Sequence, residues 1–204
     1  MTELATGLRE RKKRETREAL TRAALELFVE RGYDETTLAE IAEAAGVSTR
    51  TIFAYFPSKE DILFCTMQSM REALAAALAD RPAGTDALTA LREFILSSAH
   101  NATELDYKLK ELVAADPTLS SHKRARIAQF QEILTAAIAD DLGVAPDDLR
   151  PQVAAASLTA AFEVLERQER ALEGAPTSTQ IAAEIDPVIA FVRAGLQALP
   201  DRSG

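Results

Sequence analysis

The scarcity of helix-breaking residues is the feature of this sequence that most constrains its fold. The 204 residues include only 8 Gly and 8 Pro, whereas Ala, the strongest helix former, occurs 39 times. The breakers lie in a few short groups, so the segments between them are long and uninterrupted. Within these segments apolar residues recur every three to four positions, which is typical of helices with one buried face. The sequence therefore predicts an all-α protein.

The positions of Gly, Pro and capping residues predict where the helices begin and end. Gly32 is expected to end the first helix in a left-handed conformation, and Pro187 to kink the last helix because it removes a backbone hydrogen bond. Thr37 and Ser58 are expected to cap the helices that follow them. We predict helices over residues 10–31, 37–45, 48–55, 59–80, 85–100, 104–115, 118–142, 147–173 and 178–198.

The charge of the chain is unevenly distributed. Asp and Glu outnumber Lys and Arg by 32 to 23, which gives a net charge of −9. Residues 9–22 nevertheless contain seven basic and three acidic side chains, a local net charge of +4. Because salt screens exposed charges that are more than about 10 Å apart, this basic segment can contribute to a nucleic-acid-binding surface on an otherwise acidic protein.

The segment from Leu38 to Phe56 has the pattern of two short helices that cross steeply. Gly46 supplies a residue that tolerates positive φ in the turn, and Ala42 is the small residue needed where the helices touch. The apolar residues that would fill the wedge between the helices are Ile41, Ala45, Val47, Ile52 and Tyr55. Together these positions favour a helix-turn-helix; the alternative is an αα-corner without a nucleic-acid role.

The second helix of this pair has a short polar outer face. Ser48 is expected to cap it, and the residues expected to face outward are Thr49, Arg50, Thr51 and Ala54. A face that is short, polar and carries one arginine suits a helix whose first turns enter the major groove of DNA. The sequence thus predicts a DNA-binding helix-turn-helix.

The same segment resembles the N-terminal DNA-binding domain of TetR-family bacterial transcriptional regulators. The resemblance rests on residues 36–62, TTLAEIAEAAGVSTRTIFAYFPSKEDI, extends upstream through AALELFVERGY, and covers about residues 10–62. It implies a DNA-binding domain over residues 1–58 and a helical effector-binding and dimerisation domain over residues 59–204. It further implies a one-component regulator, a repressor that binds a palindromic double-stranded operator.

The resemblance also implies which residues contact DNA. Thr37 and Lys59 would touch phosphates. The residues that would lie on or near base edges are Ser48, Thr49, Arg50 and Thr51. The basic residues of the first helix would follow the DNA backbone or a minor groove, with a solvated helix end as the alternative; they are Lys12, Lys13, Arg14 and Arg17.

Two positions of the second helix depart from the usual family pattern. Arg50 stands where many members have glycine, and its guanidinium suits the O6 and N7 atoms of guanine; a phosphate contact is the alternative. Phe53 stands where the family usually has a phosphate-binding tyrosine, so its contact must be apolar, against a thymine methyl or a sugar. Tyr55 keeps a hydroxyl that could reach a phosphate instead.

The last two predicted helices carry apolar residues on opposite sides. A helix of a small monomer needs only one buried face, so a second apolar face indicates packing against another chain. We predict a homodimer that forms a four-helix bundle across a two-fold axis, as the resemblance also implies; a helix buried in the centre of one chain is the alternative. The predicted interface residues are Leu149, Val153, Ala156, Ala160, Val164, Ile185, Ile189 and Val192.

Bulky residues among the many alanines of the larger region indicate a cavity, although such residues also build ordinary cores. The TetR resemblance implies a small effector among the middle helices. The apolar character of the set predicts a hydrophobic or acyl-type molecule. The candidate lining residues are Met67, Met70, Phe94, Ser98, Tyr107, Phe130 and Phe162.

Other functional classes find little support in the sequence. It has no glycine-rich phosphate loop and no nucleophile, base and acid set, so an enzyme is the least favoured class. Cys65 is the single cysteine, and His100 and His122 are far apart, so no disulfide, metal site or cofactor is expected. No apolar run is long enough for a membrane span, and a cytoplasmic location is expected. A helical regulator or interaction protein without a small-molecule effector remains the alternative to an effector-released repressor.

Overall fold

The computed structural model describes residues 2–169 and 177–199, and all of the regular structure in these ranges is helical. None of these helices combines the length and the hydropathy that crossing a membrane requires. The predicted all-α fold is confirmed. The helices of the described ranges are α1 (Thr2–Arg31), α2 (Leu38–Ala44), α3 (Thr49–Phe53), α4 (Lys59–Leu63), α5 (Cys65–Ala79), α6 (Ala87–His100), α7 (Glu104–Ala115), α8 (Pro117–Leu142), α9 (Leu149–Glu169) and α10 (Ser178–Ala198).

Within the described residues, the helices differ from the predicted ones by more than two residues in two places. α1 begins at Thr2 rather than near residue 10, since only Gly7 interrupts the upstream segment and one interior glycine costs a helix only about 1 kcal/mol. The predicted helix over 59–80 is divided at Phe64, where φ is −98° and ψ is 9°. Phe64 is buried and is not a helix breaker, so its residue type does not mark the division. The predicted end of the ninth helix at residue 173 lies outside the described residues.

The end of α1 and the start of α4 have the predicted caps. Gly32 has a φ of 93°, in the left-handed region, and its N–H donates to the carbonyl of Phe28 over 3.0 Å. The Ser58 hydroxyl accepts from the N–H of Asp61 over 3.1 Å, and it donates to the Asp61 carboxylate over 2.7 Å. Both caps satisfy backbone groups that a helix end leaves without partners. Pro187 lies inside α10, and the kink expected there stays a prediction.

The chain divides into two compact units. The first consists of the residues up to Gln68 together with Leu105–Pro117, and the second consists of Ser69–Glu104 together with the chain from Thr118 onward. The predicted domain boundary between residues 58 and 59 stays a prediction.

The first unit is built around α1, which packs against α2 and α4, while α2 packs against α3. Helices as short as α2 and α3 are marginal by themselves, so their stability depends on side chains that they bury in this core. The largest fully buried side chains of the unit are Leu20, Phe28, Ile41, Ile52, Phe56 and Ile62.

The core of the second unit is formed by α5, α6, α8, α9 and α10, with α10 packed against α6 and α9. Its buried side chains come from the second half of α5, the first half of α6, the last turns of α8, the first half of α9 and one side of α10. They include Leu74, Leu78, Leu88, Leu91, Leu134, Ile138, Ala155, Leu158, Ile185, Ile189 and Val192. The other ends of these helices contribute half-buried aromatic residues instead, among them Phe94 and Phe130.

Ion pairs join distant segments of the second unit around the start of α6. Asp86 is the N-cap of α6 and accepts from the N–H of Thr89 over 2.8 Å. The guanidinium of Arg193, on α10, also donates to its carboxylate, with one contact at 3.0 Å. These hydrogen bonds, that from Arg193 above all, hold the pKa of Asp86 well below its ordinary value. A second pair joins Arg92 of α6 to Asp186 of α10.

Candidate nucleic-acid interface

α2 and the turn that follows it have a closely defined backbone. The Thr37 hydroxyl accepts from the N–H of Glu40 over 3.2 Å, while the Glu40 carboxylate accepts from the Thr37 N–H over 2.8 Å. This reciprocal pair is a capping box, and it confirms the cap predicted at Thr37. At the other end, Gly46 has a φ of 66°, and Val47 donates its N–H to the carbonyl of Ala42 over 2.9 Å. Together with the bond from Gly46 to Glu43, this closes α2 with a Schellman motif.

α3 presents one face to the core and the other to solvent. Ile52 is fully buried against the first unit's core, whereas Thr49 and Arg50 are exposed. The Ser48 hydroxyl caps α3 by accepting from the N–H of Thr51 over 3.2 Å, and it lies 2.8 Å from the Thr51 hydroxyl. The predicted cap is therefore present. Of the residues predicted to face outward, Thr49, Arg50 and Ala54 are exposed, whereas Thr51 is half-buried, and the expected contact of Thr51 with a base edge stays a prediction.

Phe53 extends the exposed face of α3 by one turn. Its side chain is 56% exposed, which is unusual for a phenylalanine in a folded protein. It follows Arg50 by three residues and Thr49 by four, so the three side chains share one side of the helix. Tyr55, just beyond the helix, is half-buried.

Two basic residues that were expected on DNA bind the chain's own carbonyl groups. Arg17 donates from Nη1 to the carbonyl of Tyr55 over 3.2 Å, and its guanidinium lies 4.4 Å from the centre of the Phe56 ring. Lys59 donates from Nζ to the carbonyls of Tyr33 and Thr36, over 2.7 and 3.0 Å. These contacts fix the end of α3 to α1 and the start of α4 to the α1–α2 loop. The expected contacts of Arg17 and Lys59 with DNA stay predictions.

The basic segment of α1 before Arg17 is exposed, and part of its charge is paired. Arg11 forms an ion pair with Glu15, and Arg14 with Glu18, at 3.3 and 3.7 Å. In each pair the two residues are one helical turn apart on the exposed surface, where such ion pairs contribute little to stability. Lys13 lies on the exposed part of the same helix, and its contact with DNA stays a prediction.

The structure also shows residues of this unit that the sequence analysis missed. Thr36 is a buried polar residue, and its hydroxyl lies 2.8 Å from the carbonyl of Gly32 and 3.2 Å from that of Leu27. Arg31 forms an ion pair with Glu40 at 3.0 Å, which holds the carboxylate of the capping box.

The predicted interface residues of α9 lie on its exposed face. Leu149 and Val153 are each 43% exposed and Val164 is 47% exposed, and Ala156 and Ala160 are exposed between them. The stripe is therefore an apolar surface of the second unit, while the opposite side of α9 contributes Ala155 and Leu158 to the core. The homodimer itself stays a prediction.

The predicted interface residues of α10 need a correction. Ile185, Ile189 and Val192 are buried in the core of their own unit, so the assignment of these three side chains to an intermolecular surface is wrong. Periodicity identified the apolar faces of α10 but not which of them packs against α6 and α9. The exposed side of α10 carries Phe191, which is 72% exposed, together with Ala183, Pro187, Ala190 and Ala194.

The candidate effector-binding residues are half-buried or exposed. In the second unit, Phe94 and Phe130 pack against the edge of the core, Ser98 is half-buried, and Met70 and Phe162 are partly exposed. Met67 and Tyr107 belong to the first unit and are half-buried. Their convergence on one cavity stays a prediction.

An ion pair between α8 and α9 was not predicted from the sequence. Glu166 of α9 is buried, and its carboxylate accepts from the ammonium group of Lys123 on α8. A buried charge requires a partner of opposite charge. Nothing in the sequence indicated this pair, because a lysine or a glutamate on a helix is usually an exposed surface residue. Among the described residues, no group of three potential His, Cys, Asp or Glu metal ligands was found.

Comparisons with known proteins cover nearly the whole chain. The family model described as bacterial regulatory proteins, tetR family, matches residues 20–64, and that of the MftR C-terminal domain matches residues 66–197. The chain is 37% identical to the HTH-type transcriptional regulator TcmR of Streptomyces glaucescens, over 79% of this chain and 76% of TcmR. It is 30% identical to the HTH-type transcriptional regulator BetI of Burkholderia mallei, over 84% of this chain and 90% of BetI.

A solved structure supports the same assignment at the level of the fold. SmeT, the repressor of the Stenotrophomonas maltophilia multidrug efflux pump SmeDEF, superposes with a TM-score of 0.63 at 21% identity, over 87% of this chain and 91% of SmeT. The matched family models and the relatives are those of transcriptional regulators rather than enzymes. The chain belongs to the TetR family of bacterial helix-turn-helix transcriptional regulators.

Proposed function

We propose that this regulator is a repressor that binds a palindromic DNA operator as a homodimer and is released from it by a small hydrophobic effector. The observation that carries the proposal is that α3 exposes Thr49, Arg50 and Phe53 while it buries Ile52 in the core of the unit. A recognition helix must present a few side chains to base edges and be held rigidly from behind. The caps at Ser48 and Thr37 meet the second requirement.

The side chains of this face suit different parts of a DNA duplex. The exposed guanidinium of Arg50 can donate two hydrogen bonds to one guanine. The exposed hydroxyls of Ser48 and Thr49 can donate to phosphates or base edges. The Thr37 hydroxyl donates to the Glu40 carboxylate over 2.8 Å in this structure, so its expected phosphate contact would require that hydrogen to turn toward the DNA. Lys13 and its neighbours on α1 add charge that strengthens binding to any sequence.

The DNA-binding part of the proposal is tested with duplexes selected from a randomised pool by the purified protein. Fluorescence anisotropy should show saturable binding that weakens steeply as salt rises. The Arg50→Ala variant should lose preference at one base pair of each half-site, at a cost of about 1–3 kcal/mol. The matched control Lys13→Ala should weaken all duplexes alike. If both variants lose affinity without any change in sequence preference, Arg50 does not read a base.

The apolar stripe on α9 supports the homodimer. Its three exposed branched side chains and the exposed Phe191 of α10 form the kind of surface that proteins usually cover by association. Two copies related by a two-fold axis would place two α3 helices for half-sites about 34–36 Å apart, or a multiple of this spacing.

Light scattering tests the dimer, because Val153→Glu would bury a charge in the proposed interface. We expect the wild-type protein to be a dimer at micromolar concentration and Val153→Glu to shift it toward monomer. Gln129→Glu, which adds the same charge at an exposed position of α8, is the control and should leave the dimer intact. A wild-type monomer at that concentration would contradict the proposed assembly.

The half-buried aromatic residues of the second unit support a hydrophobic effector. Phe94 and Phe130 are only partly buried and pack against the outside of the core, and Phe162 on α9 is partly exposed. A solved structure of SmeT, with a TM-score of 0.66 and 21% identity, is a complex with triclosan, a small apolar aromatic molecule. A thermal-shift screen of apolar metabolites tests the proposal, and a true effector must both raise the melting temperature and release the selected duplex. A binder that leaves the DNA complex unchanged would not be the effector.

A further inference from the structure

Phe53 is exposed on the proposed recognition helix α3, yet its ring cannot form the phosphate contact expected of a tyrosine at this position. The ring has no hydroxyl, so it cannot donate a hydrogen bond to a phosphate, and the negative face of an aromatic ring is not attracted to an anion. More than half of this side chain is exposed to water in the free protein. It therefore gains most from a contact with an apolar group.

Thymine carries such a group in the major groove. The C5-methyl of thymine distinguishes it from the other bases, and phenylalanine is one of the side chains that contact it. We propose that Phe53 is a specificity-determining residue that contacts the C5-methyl of one thymine in each operator half-site. The inference rests on the proposed DNA-binding function and extends it to the chemical content of the operator.

The position of Phe53 relative to Arg50 limits where this thymine lies. Three residues of an α-helix advance about 4.5 Å along its axis, and successive bases of one strand are about 3.4 Å apart. The thymine therefore lies within one or two base steps of the guanine that Arg50 contacts.

The contacts of Arg50 with guanine and of Phe53 with thymine would be the main means by which α3 distinguishes one base from another. The helix carries Thr49, Arg50, Thr51, Ile52 and Phe53, and thus neither an amide to read adenine nor a carboxylate to read cytosine. The threonine side chains are compatible with several bases. A half-site with a guanine close to a thymine is the pattern that fits this helix.

Replacement of thymine by deoxyuridine tests the proposal, because it removes only the methyl group. In the duplex that the wild-type protein selects, each thymine is replaced in turn and the dissociation constant is measured. We expect a loss of about fourfold, the effect of one buried methylene-sized group, at one thymine of each half-site. Phe53→Ala should bind the natural duplex more weakly and should no longer distinguish thymine from deoxyuridine at that position.

Three controls separate this contact from other effects. Phe53→Leu keeps an apolar side chain and should keep most of the sensitivity, whereas Arg50→Ala should keep all of it. Circular dichroism should show that Phe53→Ala is folded, since the side chain that it truncates is exposed. If Phe53→Ala remains as sensitive to deoxyuridine as the wild type, or if no single thymine matters to the wild type, the proposal is overturned. A protein that selects no duplex at all would instead contradict the proposed DNA-binding function, and this inference with it.

Discussion

Arg17 and Lys59 show how single residues of a DNA-binding unit can be committed to holding it together. The family resemblance implied a phosphate contact for Lys59, and Arg17 was expected to follow the DNA backbone or a minor groove, yet each donates hydrogen bonds to carbonyl groups far away in the sequence. The carbonyl that Arg17 binds is 38 residues away, at Tyr55. A local pattern cannot reveal such a partner, whereas the caps at Thr37 and Ser48 were predictable because their partners are three residues away.

Replacement of Arg17 should destabilise the protein more than replacement of an exposed arginine. Arg17→Met keeps the apolar stem but leaves the Tyr55 carbonyl without its charged donor, which should cost about 1–2 kcal/mol of unfolding free energy. Arg14→Met is the matched control, because Arg14 forms only an exposed pair with Glu18, and it should cost less than about 0.5 kcal/mol. Urea denaturation gives both values. Equal effects would mean that the contact of Arg17 is not stabilising.

At the scale of helices, the buried ion pair between Lys123 of α8 and Glu166 of α9 should be sensitive to the loss of either partner. Glu166→Gln would leave the ammonium of Lys123 poorly compensated in a mostly buried position, and we expect a loss of about 3 kcal/mol. The double variant Lys123→Met, Glu166→Met removes both charges and should recover most of this loss. Urea denaturation compares the three proteins. A double variant no more stable than Glu166→Gln would contradict the assignment.

The helices themselves were largely predictable from sequence, and their partners were not. The period of apolar residues located α9 and α10 and their apolar faces. The same pattern assigned Ile185 and Val192 to a dimer interface, although they lie in the core of their own unit. An apolar face of a helix has the same period whether it packs against its own chain or against a second chain. The division at Phe64 was also missed, since its cause is not the local residue type. Contacts that depend on which helices pack together require the three-dimensional structure.

For the whole molecule, the ion pairs around Asp86 make stability depend on pH. The pKa of Asp86 is lowered in the folded protein, mainly by the Arg193 guanidinium, from an ordinary value of 3.8. The carboxylate therefore stabilises the fold fully above that value, and the contribution is lost as the pH falls through and below it. Arg92 likewise lowers the pKa of Asp186, so stability should fall on the acid side.

Asp86→Asn separates this charge from the cap, because asparagine is also a good N-cap. We expect the variant to be less stable than the wild type at about pH 7, and the difference to shrink as the pH approaches about 3. Asp140→Asn is the control, since its side chain is largely exposed beside Arg81 and it should show little difference at either pH. Urea midpoints at both pH values check this. A constant difference between the wild type and Asp86→Asn would show that the charge is not responsible.

The hydrogen bonds of Lys59 have a mechanical consequence for the first unit. Its ammonium joins the first residue of α4 to the loop that ends at Thr36, directly before the cap of α2. Arg17 joins α1 to the end of α3 in the same way. A displacement of α4 would therefore carry α2 and α3 along as one body instead of melting them. In the proposed homodimer, loss of operator affinity would then arise from a changed angle or separation between two intact DNA-reading units.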